Sequence, residues 1–164
     1  MNKQDLGALI LDSERLLYAT ARTILLNDQD CQDAVQETIV KAYSNLRQLK
    51  KDRYARTWLV RILINECYDV LRRGQKIISL EASHEAQQRP SPVPEDYSDL
   101  YRAVEELPED LRIPVVLYYI DDFSVREIAG MMDISEGAVQ KRLARARGKL
   151  RIALQDTAGM EALS

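Results

Sequence analysis

The chain has 164 residues, of which 46% are hydrophobic and 30% charged, and its formal net charge is −3. That length fits one ordinary domain or two small ones, and no apolar run approaches the roughly 20 residues that cross a bilayer, so an integral membrane protein is excluded. Cys31 and Cys67 lack CxxC spacing and His84 is the only histidine, so neither a zinc site nor a disulfide framework is predicted.

These features predict a soluble protein of a reducing compartment, which we take to be the cytoplasm. The first residues lack the continuous apolar core of a signal peptide, because Asp12, Ser13 and Glu14 interrupt it. The two cysteines are interpreted as small hydrophobic residues that face the core.

Charge is distributed unevenly along the chain. Residues 31–80 hold 10 basic and 5 acidic side chains (+5), residues 81–140 hold 4 and 14 (−10), and residues 141–164 hold 6 and 2 (+4). Two basic blocks separated by an acidic block predict two nucleic-acid contacts with an insulating or partner-binding segment between them.

The first 46 residues predict two or three amphipathic helices. Apolar residues recur at spacings of three and four up to Leu25, the polar NDQD segment that starts at Asn27 predicts a turn and a cap, and a second helical pattern follows to Leu46. Its outer face carries Asp33, Gln36, Glu37 and Lys41. By itself such a face is a solvated surface.

A basic loop and a third helix come next. RQLKKDRYA, from Arg47, breaks the helical period, and RTWLVRILINECYDVLRR, from Arg56, predicts a helix that Gly74 ends. Aromatic, Asn and Arg side chains on and beside a basic loop are typical of proteins that capture unpaired bases. Trp58 has a simpler interpretation as a core or boundary aromatic.

Residues 75–97 predict an acidic linker, because no helical period holds and Pro90, Pro92 and Pro94 forbid a helix. The predicted domains are therefore 1–74 and 98–164. In the second, one helical pattern stops at Pro108, and the next, with Pro114 near its first turn, places four large residues in the core. They are Val115, Val116, Tyr118 and Tyr119. The tail after Leu154 is expected to fray.

A helix-turn-helix is predicted from Ser124 to Arg151. Ser124 and Glu127 fit a capping box, Asp133 interrupts the helix, and Ser135 can cap the second one. The stretch from Lys141 to Arg151 holds six basic residues and no acidic one. A solvated basic helix is the alternative, but the capped helix and tight turn in front of it favour DNA binding.

Together the two halves resemble a bacterial extracytoplasmic-function sigma factor of RNA polymerase. DAVQETIVKAYSNL resembles the region-two helix that docks on the polymerase beta-prime clamp, and RTWLVRILINECYDVLRR resembles the neighbouring promoter-melting helix. The segment from Glu106 to Arg151 resembles the whole region-four domain. The resemblance implies an all-α protein of two small helical domains, a region-two bundle and a region-four helix-turn-helix domain, joined by a flexible linker.

The resemblance also implies the functional residues and the partners. The clamp-facing residues would be Asp33, Gln36 and Glu37. The loop from Leu49 to Ala55 would cradle a flipped base of the minus-ten element, and the residues assigned to that element are Lys50, Lys51, Arg53, Arg56, Arg61, Asn65, Arg72 and Arg73. The residues assigned to the minus-thirty-five element are Gln140, Lys141, Arg142, Ala144, Arg145 and Arg147, with Arg142 and Arg147 on phosphates. The implied partners are core polymerase (beta-prime clamp and beta flap), promoter DNA and a membrane-bound anti-sigma factor of a stress response.

No catalytic arrangement is evident, and no cofactor is expected. The sequence shows no paired carboxylates, phosphate-binding Gly loop or nucleophile motif, so only scattered acidic residues would support a small nuclease. Asp121-Asp122 is more simply interpreted as a turn than as a magnesium site. The closer alternative is a stand-alone helix-turn-helix regulator whose first half is a sensor or dimerisation domain. An effector pocket or a self-complementary face would distinguish it.

Overall fold

The computed structural model describes the backbone of residues 1–80 and 98–163 and the side chains of residues 1–74 and 99–156. Every regular element in these ranges is helical, which confirms the all-α prediction. The helices form two compact units, one built around the first three helices and the other around the fourth, fifth and last helices.

The first unit is a three-helix bundle in which each helix packs on the other two. Its helices are α1 (Lys3–Leu25), α2 (Asp28–Ser44) and α3 (Ala55–Leu80), and two short 3-10 turns, Leu46–Gln48 and Asp52–Tyr54, connect α2 to α3. The core consists of large apolar side chains with almost no exposure, as expected from the apolar stripes of amphipathic helices. They include Leu6, Leu17, Ile24, Val35, Leu59, Leu63 and Ile64.

The predicted turn between α1 and α2 is confirmed. Leu26 closes α1 in the left-handed conformation, with φ 62°, and its N–H donates to the carbonyl of Arg22. Asn27 then caps α2, because its Oδ1 accepts from the N–H of Asp30 at 3.0 Å. A side-chain cap of this kind satisfies one of the N–H groups that a helix start leaves without a partner.

The prediction that Gly74 ends the third helix is wrong, because α3 continues through Gly74 to Leu80. A glycine in a helix costs only about 1 kcal/mol relative to alanine. The buried residues of the preceding turns, among them Leu59, Leu63 and Cys67, anchor the helix strongly enough to carry it past that position. The rest of the predicted linker, residues 81–97, lies outside the described residues.

The second unit comprises α4 (Ser98–Glu106), α5 (Glu109–Val115), a π-helical turn (Val116–Ile120), α6 (Val125–Met132) and α7 (Glu136–Leu163). Contacts of α7 with α4 and α5 build its core. Arg112 is buried and donates to the carbonyls of Leu107 at 2.8 Å and Glu105 at 3.3 Å, so its guanidinium holds the end of α4 against α5. Burial lowers the pKa of Arg112.

Three expectations for this unit are wrong. Pro114 lies near the end of α5, because that helix already begins at Glu109. After α5 the chain continues as a wider turn, in which the N–H of Asp121 donates to the carbonyl of Val116 at 3.0 Å. Val115 and Val116 are buried, but Tyr118 and Tyr119 are exposed. The tail is helical as far as Leu163.

Candidate nucleic-acid interface

Hydrogen bonds build the helix-turn-helix as its sequence predicts. The N–H of Glu127 donates to Ser124 Oγ at 3.1 Å, and the N–H of Ser124 donates to Glu127 Oε1 at 3.3 Å, which completes the capping box of α6. Ser135 caps α7, because its Oγ accepts from the N–H of Ala138 at 3.0 Å. Both predicted helix starts are confirmed.

The turn between α6 and α7 begins with a left-handed residue. Asp133 has φ 57°, and the N–H of Ile134 donates to the carbonyl of Ala129 at 3.1 Å. This is the six-to-one bond of a Schellman motif, which satisfies a carbonyl that the end of α6 would otherwise leave without a donor. The tight connection therefore results from local backbone geometry.

The burial pattern of α7 leaves most of its predicted contact residues in solvent. Val139, Leu143 and Ala146 are buried, and they fix which side of α7 faces the core. All but one of the residues predicted to meet the minus-thirty-five element are exposed; these are Gln140, Lys141, Ala144, Arg145 and Arg147. Arg142 is half-buried at the edge of the core.

One contact on α7 was not foreseen from the sequence. Arg147 Nη1 donates to the hydroxyl of Tyr119 at 3.2 Å. Sequence reasoning placed Tyr119 in the core, but the run from Ile113 to Ile120 contains too many apolar residues for one helix face to bury. That excess of apolar residues indicated that some of them must lie on the protein surface.

In the first unit, all eight residues assigned to the minus-ten element are exposed. On α3, Asn65 follows Arg61 by four residues and Arg72 follows Asn65 by seven, so at about 100° per residue these three share one line. Arg56 precedes Arg61 by five residues and points to a different side of the helix. Three of the predicted residues therefore share one face of α3, whereas Arg56 lies on a different side of the same helix, near its start after the basic loop.

The basic loop carries an exposed cation and an exposed aromatic ring together. The guanidinium carbon of Arg53 lies 4.8 Å from the ring centroid of Tyr54, within the range of a cation–π contact. Sequence reasoning did not single out Tyr54, although its position within the basic segment was a usable signal. Trp58 is half-buried, in accordance with its interpretation as a boundary residue.

The predicted docking residues of α2 form one exposed strip. Asp33, Gln36 and Glu37 are exposed, and Val40 continues the strip with 58% of its surface in solvent. Their spacing of three, four and seven residues places them on one helix face. Gln29 Nε2 donates to the Asp33 carboxylate at 3.1 Å. Sequence reasoning did not identify Val40, although an apolar residue on an otherwise polar helix face is typical of a contact surface.

Lys41, predicted on the solvated outer face, instead forms an ion pair with Glu66 of α3. The Glu66 side chain is only 6% exposed, whereas that of Lys41 is 42% exposed. The hydrogen bond to Glu66 raises the pKa of Lys41. The pair ties α2, which carries the predicted docking residues, to α3, which carries residues predicted to meet the minus-ten element.

The two cysteines are buried free thiols, which confirms their interpretation as core residues. Burial raises the pKa of Cys31 to about 11 and also raises the pKa of Cys67. A thiol with so high a pKa is a poor nucleophile at neutral pH. Within the described ranges no three His, Cys, Asp or Glu side chains converge as a metal site, and no helix there has the length and apolarity to span a membrane.

Comparison with family models identifies both units. Residues 9–77 match the model of Sigma-70 region 2, and residues 97–150 match the model of Sigma-70 region 4. The two matches follow the order of the two basic blocks and include every residue assigned above to a contact.

Curated relatives match along most of the chain. The chain is 32% identical over 138 residues to the ECF RNA polymerase sigma factor SigM of Mycobacterium tuberculosis, an alignment that covers 83% of this chain and 70% of SigM. It is 30% identical over 148 residues to the RNA polymerase sigma factor SigV of Bacillus subtilis, with 88% of each chain covered. The ECF RNA polymerase sigma-E factor of Escherichia coli is 33% identical over 134 residues, which is 72% of this chain and 70% of that protein.

Solved structures share the fold. The sigma factor RpoE of Bartonella quintana, in complex with the anti-sigma factor NepR, matches with a TM-score of 0.82 at 24% identity over 93% of this chain and 98% of that one. CnrH, in complex with the cytosolic domain of CnrY, matches with a TM-score of 0.71 at 27% identity over 94% of this chain and 90% of that one.

Proposed function

Because the chain belongs to the extracytoplasmic-function family of RNA polymerase sigma factors, we propose that it binds core RNA polymerase and directs initiation at specific promoters. The single observation that carries this proposal is the pairing of two exposed basic surfaces, one in each unit, within segments that match regions 2 and 4 in the family's order. Synthesis of RNA is then the chemistry of the polymerase, and this chain contributes recognition.

In the proposal, α7 recognises the minus-thirty-five element as duplex DNA. Its exposed N-terminal residues, Gln140, Lys141 and Ala144, face the base edges in the major groove, and Arg145 extends the same strip. Arg142 and Arg147, toward the flanks, meet phosphates. Arginine and glutamine can form bidentate hydrogen bonds to purine edges in that groove, which supports this division of roles.

The first unit captures the minus-ten element as a single strand. The Arg53–Tyr54 pair in the loop offers a cation and an aromatic face to an unpaired base. The line of Arg61, Asn65 and Arg72 on α3 adds hydrogen-bond donors along the strand. Asp69 is already paired with Arg72, so that arginine contributes a smaller net charge.

Docking on polymerase uses the α2 strip and a surface of the second unit. Asp33, Gln36 and Glu37 lie beside the apolar side chain of Val40 on one helix face, a composition that suits a protein interface in which polar groups, mainly carboxylate acceptors, flank an aliphatic contact. We assign this strip to the beta-prime clamp and the second unit to the beta flap.

Regulation by an anti-sigma factor completes the proposal. The sigma factor RpoE named above was crystallised with an anti-sigma factor, NepR, and CnrH was determined in complex with the cytosolic domain of CnrY. We propose that a membrane-bound anti-sigma factor holds this protein inactive in the cytoplasm until a stress signal releases it. The stand-alone regulator is not favoured, because the match to region 2 over residues 9–77 accounts for the first half without a sensor domain.

A substitution on α7 tests the separation of docking from recognition. Arg145→Ala removes a cation from the exposed strip of α7 and leaves α2 unchanged, so promoter-specific transcription with core polymerase should fall about tenfold while core binding in a pull-down stays the same. Arg102→Ala, an exposed arginine of α4, is the matched control and should change neither. Loss of core-polymerase binding by Arg145→Ala would refute the assignment of Arg145 to DNA recognition.

A further inference from the structure

A tyrosine outside the helix-turn-helix contacts its second helix. Tyr119 belongs to the π-helical turn that follows α5, and its hydroxyl accepts a hydrogen bond from Arg147 Nη1 of α7 at 3.2 Å. The two residues are 28 positions apart in sequence, and 49% of Tyr119 is in solvent. The contact therefore lies on the surface of the second unit, where a ligand can reach it.

The position of Arg147 on α7 aligns this contact with the exposed strip. Arg147 comes seven residues after Gln140 and three after Ala144, so the three lie on one side of the helix. At 1.5 Å per residue, Arg147 is about 10 Å along the axis from Gln140. The buried stripe of Val139, Leu143 and Ala146 holds that side outward.

No carboxylate among the described residues neutralises the charge of Arg147. Its hydrogen-bond partner is a neutral phenol, and among the described residues it takes part in no ion pair. Arg72, by contrast, is paired with the carboxylate of Asp69. Tyr119 therefore orients the guanidinium and leaves its positive charge for an anion.

The two side chains also offer converging donors. A phenolic oxygen that accepts one hydrogen bond retains its own O–H, and a guanidinium has further N–H groups beside the one in use. The ring of Tyr119 is held edge-on by that of Tyr118, with centroids 4.9 Å apart and planes at 87°. An oxygen-rich anion beside the pair could accept from both side chains at once.

We propose that Tyr119 and Arg147 together form a binding site for one phosphate of the DNA backbone, beside the bases faced by Gln140 and Ala144. Arginine and tyrosine are both common donors to DNA phosphates, and such contacts set the register of a helix in the groove. This inference rests on the proposed function and deepens it, since it assigns a DNA contact to a residue outside the helix-turn-helix.

The test measures binding of the holoenzyme, reconstituted with core polymerase, to a promoter fragment that it transcribes, over a series of KCl concentrations. Tyr119→Phe removes one oxygen and should weaken binding about tenfold or more, as expected for a hydrogen bond to a charged group. Arg147→Ala should lower the slope of log affinity against log salt by about 0.9, the value for one phosphate contact. In the Arg147→Ala background, Tyr119→Phe should add little.

Tyr118→Phe is the matched control, because the hydroxyl of Tyr118 has no hydrogen-bond partner within the described part of the chain, and it should bind like the wild type. The shared site is overturned if Tyr119→Phe binds the promoter with wild-type affinity, or if Tyr119→Phe weakens binding equally in the presence and absence of Arg147. Either result leaves promoter binding by the wild-type holoenzyme unaffected. If the wild-type holoenzyme forms no promoter-specific complex, the proposed function itself fails.

Discussion

Lys41 and Glu66 show how one pair of residues links the two proposed surfaces of the first unit. Lys41 lies on α2 next to the docking strip, and Glu66 lies on α3 next to Asn65. The Glu66 side chain is almost fully buried, so its carboxylate has Lys41 in place of water. A buried charge that loses its partner is costly, whereas an exposed one is rehydrated.

The two ends of this pair should therefore differ in their effect on stability. Lys41→Met should lower the free energy of unfolding by about 2 kcal/mol, because it leaves a buried carboxylate without its cation, whereas Glu66→Met leaves an ammonium that reaches water and should cost less. Urea denaturation followed by circular dichroism measures both. Lys50→Met, at an exposed lysine, is the control and should change stability by under about 0.5 kcal/mol.

The raised pKa of Lys41 also predicts a pH dependence. A lysine whose pKa is higher in the folded than in the unfolded chain contributes stability that is fully present below the ordinary value of 10.5. That contribution disappears as pH rises through the higher folded value. The wild type should therefore lose more stability above about pH 10.5 than Lys41→Met does. Parallel curves for the two proteins in that range would refute this role of the pair.

At the scale of elements, the connection of α6 to α7 uses backbone geometry that favours glycine. Asp133 has a left-handed φ of 57°, which is strained for most residues with a Cβ but not for glycine. Asp133→Gly should therefore raise the free energy of unfolding of the protein by about 0.5 kcal/mol. Thermal denaturation measures the change.

The matched control places the same glycine where the backbone is right-handed. Asp12→Gly, at an exposed position within α1, should destabilise its unit by about 0.3 kcal/mol, because aspartate is already a poor helix former and glycine is poorer still. A loss of stability in Asp133→Gly would mean that the Asp133 side chain contributes more to the turn than its backbone conformation costs.

Elements whose signals are local were predictable from the sequence. The capping box of Ser124 and Glu127 depends on residues three apart, and both helix starts of the helix-turn-helix were predicted correctly for that reason. Partners that are distant in sequence were not predictable. Lys41 and Glu66 are 25 residues apart, and only packing of α2 on α3 reveals that a lysine on a polar face has a buried partner.

The errors have the same physical origin. Gly74 carries a local signal to stop a helix, but tertiary contacts of the preceding turns outweigh it. Tyr118 and Tyr119 carry a local signal for burial, yet the wider turn after Pro114 presents them to solvent. All the residues implied by resemblance to the family are exposed except the half-buried Arg142, whereas Val40, Tyr54 and Tyr119 were identified only from their exposure and contacts.

At the scale of the whole molecule, the docking strip should act independently of DNA recognition. Val40→Lys replaces the aliphatic centre of the strip with a charge that must be desolvated on docking, so it should weaken binding to core polymerase at least tenfold. Leu11→Lys changes an aliphatic residue of α1 that is 74% exposed and serves as the control. Fluorescence anisotropy of labelled protein with core polymerase measures both.

Equal binding of core polymerase by Val40→Lys and Leu11→Lys would remove the α2 strip from the proposed interface.

A transcription experiment tests directly whether this chain gives core polymerase its promoter specificity. The purified protein is mixed with bacterial core polymerase and a genomic promoter library, and the 5′ ends of the transcripts are sequenced. We expect transcription start sites that depend on the protein and share two upstream sequence elements. The same start sites with core polymerase alone, or tight binding of promoter duplex by the free protein, would refute the proposed function.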